Sequence, residues 1–281
     1  MRRYLLIPLL AASVFAWQPL AATATPSGPQ QVEIPQGEHV LHGLLFRPAG
    51  TGPFAAIVAL HGCEGLSARP GRLRLRYRDW GERLSKSGLA VLYPDSYSSR
   101  GLGPQCSARV PAMRVDRERV EDANAARRWL QRQSWAVSDR IALLGWSSGG
   151  AAALWAVRPQ AAPKERGPDF RSAVALYPGC RRLADLAWSA RVPTLILIGG
   201  ADDWTPADAC QRMVAGARGR SAQATIVVYP GAPHGFDEPN RPLQARSGVA
   251  YSANGSGQVH HGTNLRARTD ALHRVMRWLA R

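Results

Sequence analysis

The stretch Ile141-Ala-Leu-Leu-Gly-Trp-Ser-Ser-Gly-Gly150 decides the fold. It opens on a short unbroken apolar run, as strands buried on both faces do, and the Ala-rich segment 148–157 after it is a helix candidate. Between them Gly145-Trp146-Ser147-Ser148-Gly149 spells G-x-S-x-G, the pattern of a serine on a sharp strand-to-helix turn. Small residues flank such a serine because the backbone there passes close to the neighbouring helix and strand. Ser147 Oγ is then expected at the carboxyl edge of a sheet, beside the positive end of the following helix. Ser148 competes poorly, since Trp146 rather than Gly stands two residues before it. An ordinary Gly/Ser turn is the bland reading of the same string.

Outward from this point, similar apolar runs fall at 55–60, 89–93, 173–177, 194–198 and 225–229, and two shorter strands at 32–34 and 40–46 flank a Gly-containing turn. Helical candidates lie between or after them at 78–86, 115–133, 206–215 and 265–281. Strand alternating with helix implies a mostly parallel, doubly wound α/β sheet. Residues 32–281 read as one catalytic domain, preceded by a flexible Pro/Ser/Gly-rich leader at 25–31. Residues 1–24 read as a signal peptide: Arg2 and Arg3, an uncharged stretch, then Ala22-Thr23-Ala24 at the cleavage positions. The expected destination is export, periplasmic or extracellular, with no stable membrane insertion once the signal is gone. An uncleaved anchor is the alternative, disfavoured by Pro8 and Pro19.

With 45% apolar residues among 281 the chain is not disordered, and four cysteines are too few for a disulfide-dense miniprotein. The net charge of +16 rests almost wholly on Arg, since Lys86 and Lys164 are the two lysines. Charge of this size raises the prospect of a polyanion partner, but no nucleic-acid recognition pattern accompanies it. Arg69, Arg72, Arg74 and Arg76 are read as a solvated basic face, with contact to an anionic substrate as the alternative. The strength of the basic excess therefore says little about function.

A serine is a weak nucleophile unless a base activates it. His234, in Tyr229-Pro-Gly-Ala-Pro-His234-Gly-Phe236, follows the last strand-like run and is the preferred base. His260 and His261 sit in a Gly/Ser/Asn-rich segment without a pattern, and His273 falls on the last helix as a surface residue. The imidazole needs a carboxylate to fix its tautomer. Asp202 is preferred over Asp203, which is left a solvent-facing or helix-capping role. An acyl-transfer site also needs N–H donors where negative charge develops. The backbone N–H groups of Ser148 and Cys63 are assigned to that purpose, with His61 bracing the loop that holds Cys63. Trp146, Trp204 and Phe236 flank the catalytic positions, either walling an acyl pocket or packing in the core.

These residues resemble the dienelactone hydrolase family of the α/β-hydrolase superfamily. The resemblance runs from about Val40 to the C-terminus, through His61-Gly-Cys-Glu-Gly-Leu66, Tyr93-Pro-Asp-Ser96, Gly145-Trp-Ser-Ser-Gly149, Ala175-Leu-Tyr-Pro-Gly179, the segment 199–206 and His234-Gly-Phe236. It implies an α/β-hydrolase fold with about eight strands and helices on both faces, no cofactor, no metal, and hydrolysis of lactones and esters. Carried over by position, it implies Ser147, Asp202 and His234 as the triad and Cys63 and Ser148 as oxyanion donors. Two departures stand out. The founding members use a Cys nucleophile where this chain has Ser147, and Gly62 occupies the place of a Glu that interacts with their thiol. A serine-nucleophile variant with an ordinary serine-esterase mechanism follows, acting on a small-molecule ester or lactone. A peptidase or thioesterase on the same triad is the rival enzyme reading. A non-catalytic binding protein of this fold is the rival outside enzymes.

Four cysteines allow three full pairings. In this fold Cys180 and Cys210 follow neighbouring strands, as do Cys63 and Cys106, which favours those two bridges.

Overall fold

The structure, a computed structural model, describes residues 28–69, 71–163 and 167–280. The expected signal peptide at 1–24 lies outside the described residues. In chain order the elements are β1 (Gln30–Gln36), β2 (His39–Phe46), β3 (Phe54–Leu60), β4 (Ser67–Arg69), β5 (Arg72–Leu73), α1 (Leu75–Lys86), β6 (Ala90–Pro94) and α2 (Glu118–Gln131). There follow β7 (Ala136–Trp146), α3 (Ser148–Ala156), β8 (Ala173–Leu176), α4 (Arg181–Asp185), β9 (Thr194–Gly199) and α5 (Ala207–Gly216). The chain closes with β10 (Ala224–Tyr229), β11 (Gln244–Ser247), β12 (Gln258–His261) and α6 (Leu265–Leu279). β1 begins at Gln30, inside the segment read as a leader, because Gln30 and Gln31 pair with Leu45 and Leu44.

Eight strands form one sheet in the order β1-β2-β6-β3-β7-β8-β9-β10. β2 runs antiparallel to β1 and β6, and every other neighbouring pair is parallel. The central strands are unbroken apolar runs because they are covered on both faces: β6, β8 and β9 are buried at every position. Each Leu, Ile or Val so placed contributes about 1.5–3 kcal/mol. α2 packs on α3. α1 and α6 are joined by the Arg268–Asp79 ion pair at 2.7 Å.

Register decides where the chemistry gathers. Leu60 lies beside Gly145, Trp146 beside Leu176, Leu176 beside Leu197, and Gly199 beside Tyr229. The loops that begin at residues 61, 147, 177, 200 and 230 therefore leave the sheet from one edge. The β4–β5 and β11–β12 ribbons and the short α4 lack an apolar run to mark them in the sequence, being short and mostly polar although each ribbon pairs with its near neighbour in the chain.

Candidate active site

Ser147 joins β7 to α3 with φ 53° and ψ −118°, a conformation that costs a non-glycine residue about 1–3 kcal/mol. Its neighbours hold it there. The Ser147 N–H donates to the Leu176 carbonyl at 2.9 Å, and its carbonyl accepts the Ala151 N–H at 2.9 Å. The glycines two residues away on either side are a steric requirement. A Cβ on Gly145 would lie 2.2 Å from the Gly149 carbonyl oxygen, and one on Gly149 would lie 2.1 Å from that of Leu60.

Ser147, His234 and Asp202 come together in one hydrogen-bonded chain. Ser147 Oγ is 3.1 Å from His234 Nε2, and His234 Nδ1 is 2.8 Å from Asp202 Oδ2. With Nδ1–H donating to the carboxylate, Nε2 is the free base facing the serine. Asp202 is 5% exposed and His234 4% exposed. The Asp202 carboxylate also accepts the N–H groups of Trp204 (3.0 Å) and Thr205 (2.8 Å). Thr205 Oγ1 lies 3.0 Å from Asp202 Oδ2 and 3.1 Å from the Tyr177 carbonyl oxygen. The rings of Tyr177 and Trp204 pack on the imidazole, with centroids at 4.6 and 4.8 Å.

Asp203, the alternative acid, points elsewhere. Its carboxylate accepts the His260 backbone N–H at 2.8 Å and pairs with His260 Nδ1 at 2.7 Å. It is thus neither free in solvent nor a cap: it anchors a strap, residues 241–263, that contains the β11–β12 ribbon. The strap is tied at several points. The Ala253 N–H donates to the Asp203 carbonyl (2.7 Å), that of Ala250 to Cys106 (3.0 Å) and that of Gly262 to His234 (3.1 Å). Arg246 stacks on the Trp204 ring at 5.3 Å and pairs with Glu64. His260 and His261, without a pattern in the sequence, are strap residues, and His273 is exposed on α6.

The loop after β3 lies against the nucleophile. A Cβ on Gly62 would stand 3.4 Å from the Trp146 carbonyl oxygen and 3.5 Å from Ser147 Cβ. The carbonyl of the Gly62–Cys63 peptide accepts from His61 Nδ1 (2.9 Å) and the Gly65 N–H (3.1 Å). Because a trans peptide points its N–H opposite to its C=O, these bonds also orient the Cys63 N–H. His61 Nε2 accepts the Ser96 N–H at 3.2 Å, so the ring must stay neutral to serve both partners. Burial, then the Arg119 guanidinium, holds its pKa well below the ordinary imidazole value. Arg119 is fully buried and donates to the His61 carbonyl at 2.7 Å. Cys63 is bonded to Cys106, and Cys180 to Cys210.

The four arginines past this loop divide. Arg69 and Arg72 are exposed, but Arg74 reaches the Glu64 and Gly65 carbonyls (2.9 and 3.2 Å), and Arg76 is buried against Glu238 at 2.6 Å. A solvated basic face describes the first pair and not the second. Burial works to raise the Glu64 carboxyl, but Arg76, Arg74, Arg246 and Arg241 outweigh it and hold its pKa at about 2. Trp146 and Phe236 are core residues with no exposed surface, whereas Trp204 is half-buried beside the imidazole. Sequence reading missed Asp237, a fully buried carboxylate next to Phe236, because its partners lie far away in the chain. A cavity of about 960 Å³ opens on the β1–β2 side of the loop; Glu64 and Gly65 line it and no triad residue does. Among the described residues no His/Cys/Asp/Glu cluster is suited to a metal, and no helix is long and apolar enough to cross a membrane.

Comparison with known proteins agrees with this architecture. The model of the dienelactone hydrolase family matches residues 41–281. A provisionally named carboxymethylenebutenolidase of Methylorubrum extorquens is 26% identical over 262 residues, 86% of each chain. The crystal structure of a provisionally named dienelactone hydrolase from Klebsiella pneumoniae superposes with a TM-score of 0.67 at 20% identity, covering 90% of this chain and 98% of that one. Thermogutta terrifontis esterase 2, phosphorylated by paraoxon, superposes with a TM-score of 0.59 at 20% identity, over 78% of this chain and 88% of that one.

Proposed function

This chain belongs to the dienelactone hydrolase family and is a carboxylic ester hydrolase, and from that premise we propose that it cleaves esters or lactones through an acyl-enzyme on Ser147. The observation that carries the reading is the unbroken chain from Ser147 through His234 to Asp202 at a strained strand-to-helix turn. His234 Nε2 takes the Ser147 proton as Oγ attacks the acyl carbon. Asp202 stabilises the imidazolium that forms, and the N–H groups of Cys63 and Ser148 receive the oxyanion. The imidazolium then protonates the leaving alkoxide. Water, deprotonated by the same imidazole, attacks the acyl-enzyme and releases the acid and free Ser147. No cofactor enters any step.

The substrate is a small-molecule ester or lactone, as the names of the relatives suggest. The protein works outside the cytoplasm. Supporting this are the two disulfides, which persist in oxidising compartments, and the signal-like residues 1–24. The test is a fluorophosphonate label on wild type and Ser147→Ala, followed by an ester and lactone panel. Wild type should label and Ser147→Ala should not, with turnover falling by about 10⁴-fold or more. Turnover retained in Ser147→Ala refutes the mechanism.

A further inference from the structure

Asp237 is fully buried three residues after His234, and its carboxylate gathers donors from three separate elements. Oδ2 accepts the indole N–H groups of Trp80 (2.7 Å) and Trp146 (2.8 Å), and Oδ1 accepts the Tyr177 hydroxyl at 2.5 Å. Arg76 Nε stands 3.6 Å from Oδ1, and Arg268 donates to the Asp237 backbone carbonyl. A carboxylate without partners at this depth would be too costly to keep, so the cluster acts as a unit.

Two of the donors belong to the reacting groups' own supports. Trp146 is the residue before Ser147 and ends β7. Tyr177 follows β8 with φ 39°, packs its ring on His234, and shares Thr205 with Asp202 through its carbonyl. The sheet itself does not link nucleophile to base: β8 and β9 separate β7 from β10, and His234 returns across them on a loop. Asp237 supplies the missing cross-link, being part of that loop and bonded to the ends of both β7 and β8.

We propose that Asp237 is a positioning residue of the hydrolytic reaction, setting the separation of Ser147 from His234 by holding Trp146 and Tyr177 together. The role rests on the assignment of Ser147 and His234 above. It works through contacts already in place before substrate binds, so it affects the chemical step and leaves substrate affinity alone.

Asp237→Asn preserves shape and can still accept both indoles, but it turns an amide toward the Tyr177 oxygen. It should lower kcat by about 10–100-fold with KM changed less than about twofold, as a misplaced catalytic pair does. Asp237→Ala, which strands three buried donors, should lose more or fail to fold. The deciding comparison is Trp146→Phe against Trp80→Phe. Each removes one N–H from the same oxygen, and only Trp146 adjoins the nucleophile. Positioning requires a kcat loss larger in Trp146→Phe than in Trp80→Phe at similar losses of Tm. Wild-type kcat in folded Asp237→Asn, or kcat losses in all three that simply follow Tm, overturns it. Ser147→Ala run alongside separates the two failures. Turnover surviving there refutes the triad, whereas turnover abolished there with Asp237→Asn at wild-type kcat refutes only the role of Asp237.

Discussion

Cys106→Ser removes the bridge that ties the oxyanion loop while leaving Cys63, and its N–H, in place. The bridge closes a separation of 43 residues, and the chain-entropy relation assigns such a loop about 4 kcal/mol of stabilisation at 25 °C. Cys180–Cys210 closes 30 residues, worth about 3.6 kcal/mol by the same relation. Near-equal stability costs make Cys210→Ser the proper control. The local effects should differ. The Gln105 N–H donates to the Cys63 carbonyl at 2.8 Å, so freeing Cys106 loosens the residue whose N–H is proposed to receive the oxyanion. Losing an oxyanion donor outright costs about 10²–10³ in kcat, and a donor that is present but less firmly held should cost about tenfold. Urea unfolding at 25 °C gives the stability change, and initial rates on a p-nitrophenyl ester give kcat and KM. The expected pattern is a similar loss of stability in both variants, with the tenfold kcat loss confined to Cys106→Ser. Wild-type kcat in folded Cys106→Ser, or an equal kcat loss in Cys210→Ser, would refute the link between this bridge and the oxyanion hole.

Asp202→Asn should reduce kcat by about 10⁴-fold by presenting the wrong tautomer to Ser147; an ester-turnover assay reading a loss under tenfold would reassign the acid. Asp203→Asn should stay within about threefold of wild type on a small acetate ester, because it serves the strap and touches no reacting group. Gly149→Ala should lower Tm by several degrees or prevent soluble expression, since its Cβ would meet the Leu60 carbonyl oxygen at 2.1 Å; a folded variant of wild-type Tm contradicts the packing described. For His61 the folded pKa is lowered, so the unfolded chain binds the extra proton. Its share of stability is complete above the ordinary value of 6.5 and is lost as pH falls from there toward the lowered folded value. Unfolding free energy measured against pH should fall by up to about 1.4 kcal/mol per pH unit on this account, and His61→Gln should flatten that part of the slope.

The central sheet strands were legible because they are covered on both faces and so appear as unbroken apolar stretches, whereas β1 and β2 keep exposed positions and showed only as short apolar segments around the Gly37 turn. Ser147, Asp202 and His234, which the structure joins by hydrogen bonds, stood out as candidates for a related reason. Each lies in a loop after a parallel strand (Ser147 directly after β7, Asp202 three residues after β9, His234 five after β10), and a parallel sheet delivers those loops to one edge. What escaped reading depends on pairing across distance. Asp237 meets Trp80, Trp146 and Tyr177 at sequence separations of 157, 91 and 60 residues, and nothing local marks it as more than a polar residue in a loop. Arg74 and Arg76 carry the same charge as the exposed Arg69 and Arg72, and only the position of Glu64 and Glu238 separates the two pairs. The β11–β12 ribbon, Gln-Ala-Arg-Ser against Gln-Val-His-His, has too few apolar residues to announce a strand.

The way the strap is fastened bears on how such an enzyme changes its tastes over generations. Ala250, Ala253, Gly262 and His260 all hold it by their backbone N–H groups, on oxygens of Cys106, Asp203 and His234. Main-chain fastening is indifferent to which side chains the strap carries, and Arg246, Tyr251 and His260 add side-chain ties to Glu64, Arg109 and Asp203. Mutations at its remaining exposed residues can therefore accumulate without unhooking it, while Ser147, His234 and Asp202 stay untouched in the loops of the sheet edge. Neutral drift in one segment would then reshape what enters the site, and a directed-evolution library confined to residues 243–259 is the economical place to look for altered substrate preference.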